Sequence, residues 1–302
     1  PVDVLVLEVG MGGSWDSTNT ADGDVAVFAP IDIDHADRLG ETIGEIATVK
    51  AGIIKPGAIA VSSEQDAAAS AVLRETAAAQ GARIAFEGQD FALTDDRLAV
   101  GGQLISVTGL AGTYTDQYLP LYGAHQGANA ALAIAAVEAL IGDGGRAIDG
   151  AVLAEGLGAV TSPGRLQLIG IDPTMLVDAA HNPHGARSLA RALEEAFDFG
   201  EWAWVFGAFT DKDAAGVVDA LGSVVSRVFT TALPSERSAS ADDLAAITRA
   251  AGLETTAHDD LFAAVTAARE WAAESERRAI VIAGSVVLAG EAIGLAGDEG
   301  YK

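Results

Sequence analysis

Short apolar runs alternate along this chain with amphipathic stretches, and several of the runs end in polar or charged residues. In the first half, runs at residues 4–7, 25–28 and 58–61 predict buried β-strands, whereas residues 41–51 and 67–80 have the pattern of helices. Strands and helices that alternate in this way form a parallel sheet covered by helices, which binds its ligands at the carboxyl ends of the strands. The pattern therefore predicts an α/β protein.

The pattern changes before the middle of the chain. Residues 84–107 alternate in polarity and contain turn residues, which predicts a small antiparallel segment, and the Ala-rich residues 127–140 predict a long helix. Residues 161–165 predict a linker, because Pro163 and Gly164 stop a helix and turn the chain.

Strands and helices alternate again after this linker. The predicted strands are residues 174–177, 202–206, 228–231 and 279–282, and the helices between them begin near Pro183, Asp213, Ala241 and Leu261. The sequence therefore predicts two domains, residues 1–160 and 165–302, of which the second is Rossmann-like.

The composition excludes several classes of protein. The chain has 302 residues and no cysteine, so disulfides, thiolate zinc sites and a cysteine nucleophile are impossible. A formal net charge of −25 repels nucleic acid and anionic lipid. The apolar residues 279–290 form too short a stretch to span a bilayer. We therefore expect a cytoplasmic protein that acts on small molecules, with no nucleic-acid or membrane partner.

Three short polar segments in the otherwise apolar first half, called polar islands here, carry atoms that can bind ligands. Glu8 follows the run at residues 4–7 and precedes a glycine-rich segment, which lets a backbone approach a ligand closely. Asp34 and His35 follow the run at residues 25–28, and Lys50 lies in the third island, VKAGIIKPG at residues 49–57. Glu8 and His35 at neighbouring strand ends could hold one Mg²⁺ together with water and phosphate oxygens. Either residue could instead only cap a loop or a helix.

A fourth island, residues 178–185, lies in the second domain. Asp178 ends a predicted strand, Asn182 is placed to cap the following helix, and Pro183 suits its first position. A helix start of this kind favours anions. Asp178 could accept hydrogen bonds from ribose hydroxyls, and His181 could reach a phosphate or a carboxylate. The alternative is that Asp178 and Asn182 only cap the turn.

Together these islands resemble one protein family. The segments EVGMGGSWDSTN, IDIDH, KAGII, HQGANAALAIAA, PGRLQ, DAAHNPHGA and GAFTDKD occur in an order and spacing similar to those of bacterial folylpolyglutamate synthase/dihydrofolate synthase. This family belongs to the Mur ligase superfamily of ATP-dependent amide-bond ligases. The resemblance implies two doubly wound domains, a Mur-ligase-like ATPase domain without its N-terminal part and a Rossmann-like C-terminal domain.

The resemblance also implies cofactors and the residues that bind them. Glu8 and His35 match the family's Mg²⁺ ligands, and Lys50 matches its carbamylated lysine, whose added carboxylate supports metal and phosphate. ATP and Mg²⁺ are the implied cofactors, with K⁺ as a further candidate. The family's loop that contacts the pterin matches Trp15, Asp16 and Ser17. For the nucleotide, Asn129 matches the residue that contacts the base, Arg165 the arginine on the phosphates, and Asp178 the acceptor for the ribose. His181 matches the residue near the incoming glutamate or the phosphate. Asn182 and Lys212 also lie in family motifs.

The implied reaction needs no protein nucleophile. ATP phosphorylates a substrate carboxylate to an acyl phosphate, and the amine of L-glutamate then attacks it and releases phosphate. The substrates would be dihydropteroate or folate polyglutamates and L-glutamate, and we expect a monomer. Mg²⁺ and Arg165 would neutralise charge on the transferred phosphoryl group.

The chain departs from the family pattern in two places. It contains no Gly-Lys-Ser or Gly-Lys-Thr, so the family's phosphate-binding loop is missing, and the abrupt start at Pro1 leads us to expect further residues upstream. Ser14 stands where the family commonly has arginine.

Two other functions remain open from the sequence. A Mur-type peptidoglycan ligase shares the metal, lysine and DxAHNP features, but it would be expected to lack the glycine-rich segment EVGMGGSWDSTN. A non-catalytic nucleotide- or folate-binding remnant is disfavoured because Glu8, His35, Lys50, Arg165 and Asp178 are all present.

Overall fold

The computed structural model describes residues 2–33, 36–99 and 101–301. The chain forms two compact units, the first composed of Pro1–Pro120 and Ala124–Val160, and the second of Leu121–Gly123 and Thr161–Lys302. The division after Val160 lies at the Pro-Gly segment that marks a linker in the sequence.

The first unit contains a parallel sheet, an antiparallel sheet and helices. The parallel sheet has the order β1-β2-β3, with β1 (Val25–Phe28), β2 (Ile59–Ser62) and β3 (Arg83–Phe86). The antiparallel sheet has the order β4-β5-β6, with β4 (Ala92–Ala99), β5 (Gly102–Thr108) and β6 (Thr113–Leu119). The helices are α1 (Ala36–Leu39), α2 (Ile43–Ala51), α3 (Ala67–Ala79), α4 (Ala124–Gly142), α5 (Gly150–Gly158) and a 3₁₀ helix (Ser17–Thr20).

One prediction for this unit is wrong, and another is confirmed only in part. Residues 4–7 form no strand, and their side chains are exposed, with Val6 at 89%. An apolar run is buried in a sheet only where a neighbouring strand pairs with it, and among the described residues β1 pairs with β2 alone. The prediction of an antiparallel segment over residues 84–107 is confirmed for β4 and β5, which pair antiparallel, but is wrong for residues 84–86, which lie in β3 and pair in parallel with β2. A short strand shows the same side-chain alternation with either kind of partner.

A buried carboxylate joins the antiparallel sheet to α4. Glu138 is fully buried and accepts hydrogen bonds from Ala111 N (3.0 Å), Gly112 N (2.9 Å) and the Tyr114 hydroxyl (2.5 Å). The same hydroxyl accepts a bond from Ile148 N at 2.7 Å. Desolvation, followed by the hydrogen bond to Glu138, raises the pKa of Tyr114 to about 12. The three donors therefore satisfy a carboxylate that is buried in an otherwise apolar helix.

The second unit is built on one six-stranded sheet, with the strand order β11-β10-β9-β12-β8-β7. All pairs are parallel except that of β7 with β8. Its strands are β7 (Gln167–Ile171), β8 (Thr174–Asp178), β9 (Glu201–Phe206), β10 (Arg227–Thr231), β11 (Glu254–His258) and β12 (Arg278–Ala283). Its helices are α6 (Pro183–Ala196), α7 (Ala214–Leu221), α8 (Ala241–Ala250), α9 (Leu261–Ala272) and α10 (Val286–Glu299).

Different helices cover the two faces of this sheet. Side chains of α6, α7 and α8 pack on one face and those of α9 and α10 on the other. In β12, Val281 packs on the first face, whereas Ile280 and Ile282 pack on the second. The helices that follow the neighbouring strands β8 and β12 therefore lie on opposite faces, which opens a crevice at the carboxyl ends of these strands.

The predicted strands of the second unit match β8, β9, β10 and β12. The sequence did not predict β7, β11 or α10. β11 contains two threonines and a histidine and lies at the sheet edge, so it lacks the apolar run that announces a central strand. Within the described ranges, none of the helices combines the length and apolar character needed to cross a bilayer.

Candidate functional site

Asp178 lies at the carboxyl end of β8, beside the crevice. Its Oδ2 accepts a hydrogen bond from Leu166 N at 2.9 Å, and its Oδ1 accepts one from Ala180 N at 2.8 Å. Leu166 has a φ of 43°, a left-handed conformation that costs a non-glycine residue about 1–2 kcal/mol. Its side chain is 3% exposed and packs in the core. The carboxylate and the core therefore hold a strained residue in place.

Arg165 directly precedes this strained residue and lies in a tight turn. Arg165 N donates to Ser162 O at 3.1 Å, and Gly164 between them has a φ of 71°, as the third residue of a type II turn requires. Gly164 N donates to Gln167 Oε1 at 2.9 Å. The Arg165 side chain is exposed and has no hydrogen bond or ion pair with a described residue. Its guanidinium is therefore available to an anion.

The start of α6 lies immediately after Asp178. Asn182 caps this helix through Oδ1, which accepts from Gly185 N at 2.8 Å, and Pro183 occupies the first turn, as predicted. His181 Nδ1 lies 3.0 Å from Ala179 O. When Nδ1 donates to that carbonyl, Nε2 carries the lone pair and can accept a hydrogen bond or a proton. The helix N-terminus favours a negatively charged ligand beside it.

Glycine permits the close approach of β12 and β9 at the crevice. Gly284, which follows β12, has a φ of 134°, and a Cβ at this position would lie 2.6 Å from Gly207 O. Trp204 Nε1 donates to Ala283 O at 3.1 Å and ties the two strand ends together. The backbones at the carboxyl ends of β12 and β9 therefore lie in close contact beside the crevice.

Lys212 lies in the loop between β9 and α7. Its Nζ is 3.9 Å from Asp211 Oδ2, and Arg237 donates to Asp211 Oδ1 at 2.9 Å. The hydrogen bond from Arg237 holds the pKa of Asp211 below its usual value. All three side chains are exposed, so the pairs leave Lys212 accessible to a ligand.

The glycine-rich loop of the first unit is organised by Asp16. Its Oδ1 accepts from the Thr18 hydroxyl (2.7 Å) and Thr18 N (2.9 Å), and its Oδ2 accepts from Met11 N (3.1 Å). These bonds, with that of the Thr18 hydroxyl the largest, hold the pKa of Asp16 below its usual value. Asp16 caps the 3₁₀ helix, so its carboxylate shapes the loop that presents Trp15 and Ser17.

Trp15 and Ser17, which the family resemblance assigns to pterin contacts, are exposed. The Trp15 side chain is 55% exposed, and its ring lies over Gly12, where a Cβ would come within 2.7 Å of the ring. Gly12 also has a φ of 79°. Only glycine therefore allows the ring to come this close to the backbone of the loop.

The same loop packs against the end of α2, which carries Lys50. Ser14 N donates to Val49 O at 3.0 Å, and a Cβ on Gly13 would lie 2.9 Å from Lys50 Cα. The half-buried Lys50 occupies the last turn of α2, where the helix dipole favours a cation. Its amine has no hydrogen bond or ion pair within the described part of the chain. The glycine motif and Lys50 are thus brought together.

The remaining predicted residues are less constrained. Glu8 is exposed and has no hydrogen-bond partner among the residues described, while His35 lies outside the described residues. Asn129 is exposed on α4, with its Nδ2 3.4 Å from Gln126 Oε1. In the described ranges, no three His, Cys, Asp or Glu side chains are close enough to share a metal. A single free carboxylate still suits Mg²⁺, which keeps waters and takes phosphate oxygens.

Sequence reasoning missed Gln167, whose side chain closes the turn that carries Arg165. A polar residue at the start of an apolar strand, three positions after a glycine, was the available signal.

A cavity of about 540 Å³ elsewhere in the second unit contains none of the predicted residues. It is lined by the loop after β10, by α10 and by residues including Asp259 and Phe262. The candidate site therefore lies outside this cavity.

Comparisons with known proteins give consistent matches. Residues 1–137 match the Mur ligase middle domain family, and residues 164–286 match the family described as Mur ligase, glutamate ligase domain. The dihydrofolate synthase/folylpolyglutamate synthase of Mycobacterium tuberculosis is 42% identical over 322 residues, which cover 99% of this chain and 66% of that relative. These matches confirm the expected fold class.

Solved structures agree with this result. The Mycobacterium tuberculosis folylpolyglutamate synthase complexed with ADP is 41% identical, with a TM-score of 0.90 over 98% of this chain and 68% of that one. The Escherichia coli FolC in complex with DHPP and ADP is 27% identical, with a TM-score of 0.81 over 96% of this chain and 66% of that one. The chain spans 66% of the length of the curated Mycobacterium tuberculosis relative.

Proposed function

Because the chain belongs to the folylpolyglutamate synthase/dihydrofolate synthase family of Mur ligases, we propose that the protein joins L-glutamate to dihydropteroate or to folate polyglutamates in an ATP-dependent reaction. The observation that carries this proposal is the 41% identity and TM-score of 0.90 to a folylpolyglutamate synthase complexed with ADP. The sites of both units supply side chains of the kinds that this reaction needs.

Nucleotide binding is assigned to Arg165 and Asp178, with Asn129 for the base. Arg165 offers an exposed guanidinium with fixed backbone on both sides, which suits bidentate contacts to phosphate oxygens. Each Asp178 oxygen accepts one backbone N–H, and a ribose hydroxyl is a donor of the kind that a carboxylate accepts. The nearby start of α6 adds a favourable field for negative charge.

Glu8 and His35 are the proposed Mg²⁺ ligands, and K⁺ is a further candidate cation. The bound Mg²⁺ would neutralise negative charge on the nucleotide phosphates. Lys50 is the proposed carbamylated residue, because its amine, which has no partner among the described residues, can react with carbon dioxide to form a carbamate. That reaction requires the neutral amine and releases a proton to solvent.

The other residues position substrates for the ligation. The exposed Trp15 ring offers a flat surface to the pterin, and Asp16 keeps the loop of Trp15 and Ser17 in shape. The γ-phosphate of ATP is transferred to the substrate carboxylate, and the glutamate amine then attacks the acyl carbon as the carbon–oxygen bond to phosphate breaks. His181 Nε2 can accept the proton that the attacking amine loses.

The test is a ligase assay on the protein as its gene encodes it. Dihydropteroate or a reduced folate is incubated with L-glutamate and Mg-ATP, and both ADP and the product mass are followed. We expect one ADP for each glutamyl residue added and much lower activity for Arg165→Ala. ADP release that does not depend on L-glutamate would contradict the proposal. Nucleotide binding without turnover would instead support a non-catalytic remnant.

A further inference from the structure

We propose that Gln167 is a positioning residue that fixes the orientation of Arg165 toward a nucleotide. The inference rests on the proposed function, because it takes Arg165 to bind nucleotide phosphates. Gln167 acts through the backbone of Gly164, without itself touching the ligand.

The Gln167 side chain connects the turn to the sheet. Gln167 is the first residue of β7 and lies opposite Val177 in the antiparallel pairing with β8. From this fixed position its Oε1 accepts the Gly164 N–H at 2.9 Å. The half-buried side chain therefore transmits the geometry of the sheet to the turn.

The restraints on the two neighbours of Arg165 are separate. Leu166, on one side, is held by Asp178 and by the core. Gly164, on the other side, is held by Gln167 and by Ala179 N, which donates to Gly164 O at 2.7 Å. Loss of the Gln167 acceptor would free the N–H of the residue with the greatest backbone freedom. The core anchor at Leu166 would remain, so the change would be confined to the turn.

This arrangement predicts an effect on ligand binding that is separable from folding. The exposed Arg165 guanidinium has no partner among the described residues, so its direction depends on its backbone. A looser turn would spread the guanidinium over more orientations and raise the entropy lost on binding. We expect Gln167→Met, which keeps the side-chain length but lacks the amide oxygen, to weaken ADP binding about three- to tenfold.

The experiment is a double-mutant cycle in the protein as its gene encodes it. ADP dissociation constants are measured by calorimetry for wild type, Gln167→Met, Arg165→Ala and the double variant. Gln80→Met is the matched control, since Gln80 is exposed at the end of α3 in the first unit. Melting temperatures are recorded for every variant, and Gln167→Asn, whose amide is too short to reach Gly164, provides a second test.

If the proposal is correct, Gln167→Met weakens ADP binding when Arg165 is present. In the Arg165→Ala background the same substitution causes little further loss of ADP affinity. The proposal also expects the KM for ATP to rise while the KM for L-glutamate is unchanged. An equal loss in both backgrounds, or no loss with either Gln167 variant, would overturn it, as would failure of both variants to fold. The proposed function fails separately if wild type binds no ADP or if Arg165→Ala binds it as wild type does.

Discussion

Replacement of Asp178 by asparagine tests whether this carboxylate holds the strained residue Leu166 in place. The wild-type side chain accepts the N–H of Leu166 through one oxygen and that of Ala180 through the other. Asparagine has the same shape but only one acceptor oxygen. Its amide nitrogen must therefore face one of the two N–H donors. Alanine removes both acceptors.

The expected cost follows from these two bonds. A hydrogen bond to a charged acceptor contributes about 1.5–3 kcal/mol to stability. Because Asp178 is half-buried and water can replace part of each bond, the lower value applies. We expect about 1.5 kcal/mol of destabilisation for Asp178→Asn and about 3 kcal/mol for Asp178→Ala. ADP affinity should fall in Asp178→Ala, because Leu166 beside Arg165 then loses its side-chain acceptor.

Guanidinium unfolding at pH 7 measures the stability change, and ADP titration measures the effect on binding. Asp219→Asn is the matched control, since Asp219 is an exposed acid on α7 in the same unit. Wild-type stability in Asp178→Asn would refute the claim that both carboxylate oxygens stabilise the fold through backbone N–H groups. Equal losses in the asparagine and alanine variants would refute the account based on two acceptors.

Three further predictions concern the first unit. Tyr114→Phe should lower the unfolding free energy by about 3 kcal/mol, because it removes a hydrogen bond to buried Glu138 and the acceptor for Ile148 N. Since the pKa of Tyr114 is raised to about 12, its stabilising contribution is complete below about pH 10 and lost as the pH rises toward 12. The difference in unfolding free energy between wild type and Tyr114→Phe, measured with denaturant, should therefore be smaller at pH 11.5 than at pH 8. The same difference at both pH values would contradict the assigned hydrogen bond from Tyr114 to Glu138. Lys50→Arg keeps the charge but cannot form a carbamate, so full ligase activity in this variant would exclude carbamylation. Glu8→Gln should raise the Mg²⁺ concentration needed for half-maximal activity, whereas an unchanged Mg²⁺ dependence would remove Glu8 from the coordination sphere.

Local patterns in the sequence determined much of the second unit. The strand at residues 174–177 and the capped start of α6 follow from an apolar run and from the Asn182-Pro183 pair, which act through neighbouring residues. The family motifs likewise identified Arg165 and Asp178 as candidate site residues, because their chemical types are visible without a fold.

Only the tertiary structure decided features that depend on distant partners. Residues 4–7 have the composition of a buried strand, yet they are exposed because pairing depends on a neighbouring strand. The link between Asp178 and Leu166 and that between Gln167 and Gly164 arise when β8 and β7 meet. The sequence thus determined which groups are available for the chemistry, and long-range strand pairing decided which of them fix the others in place.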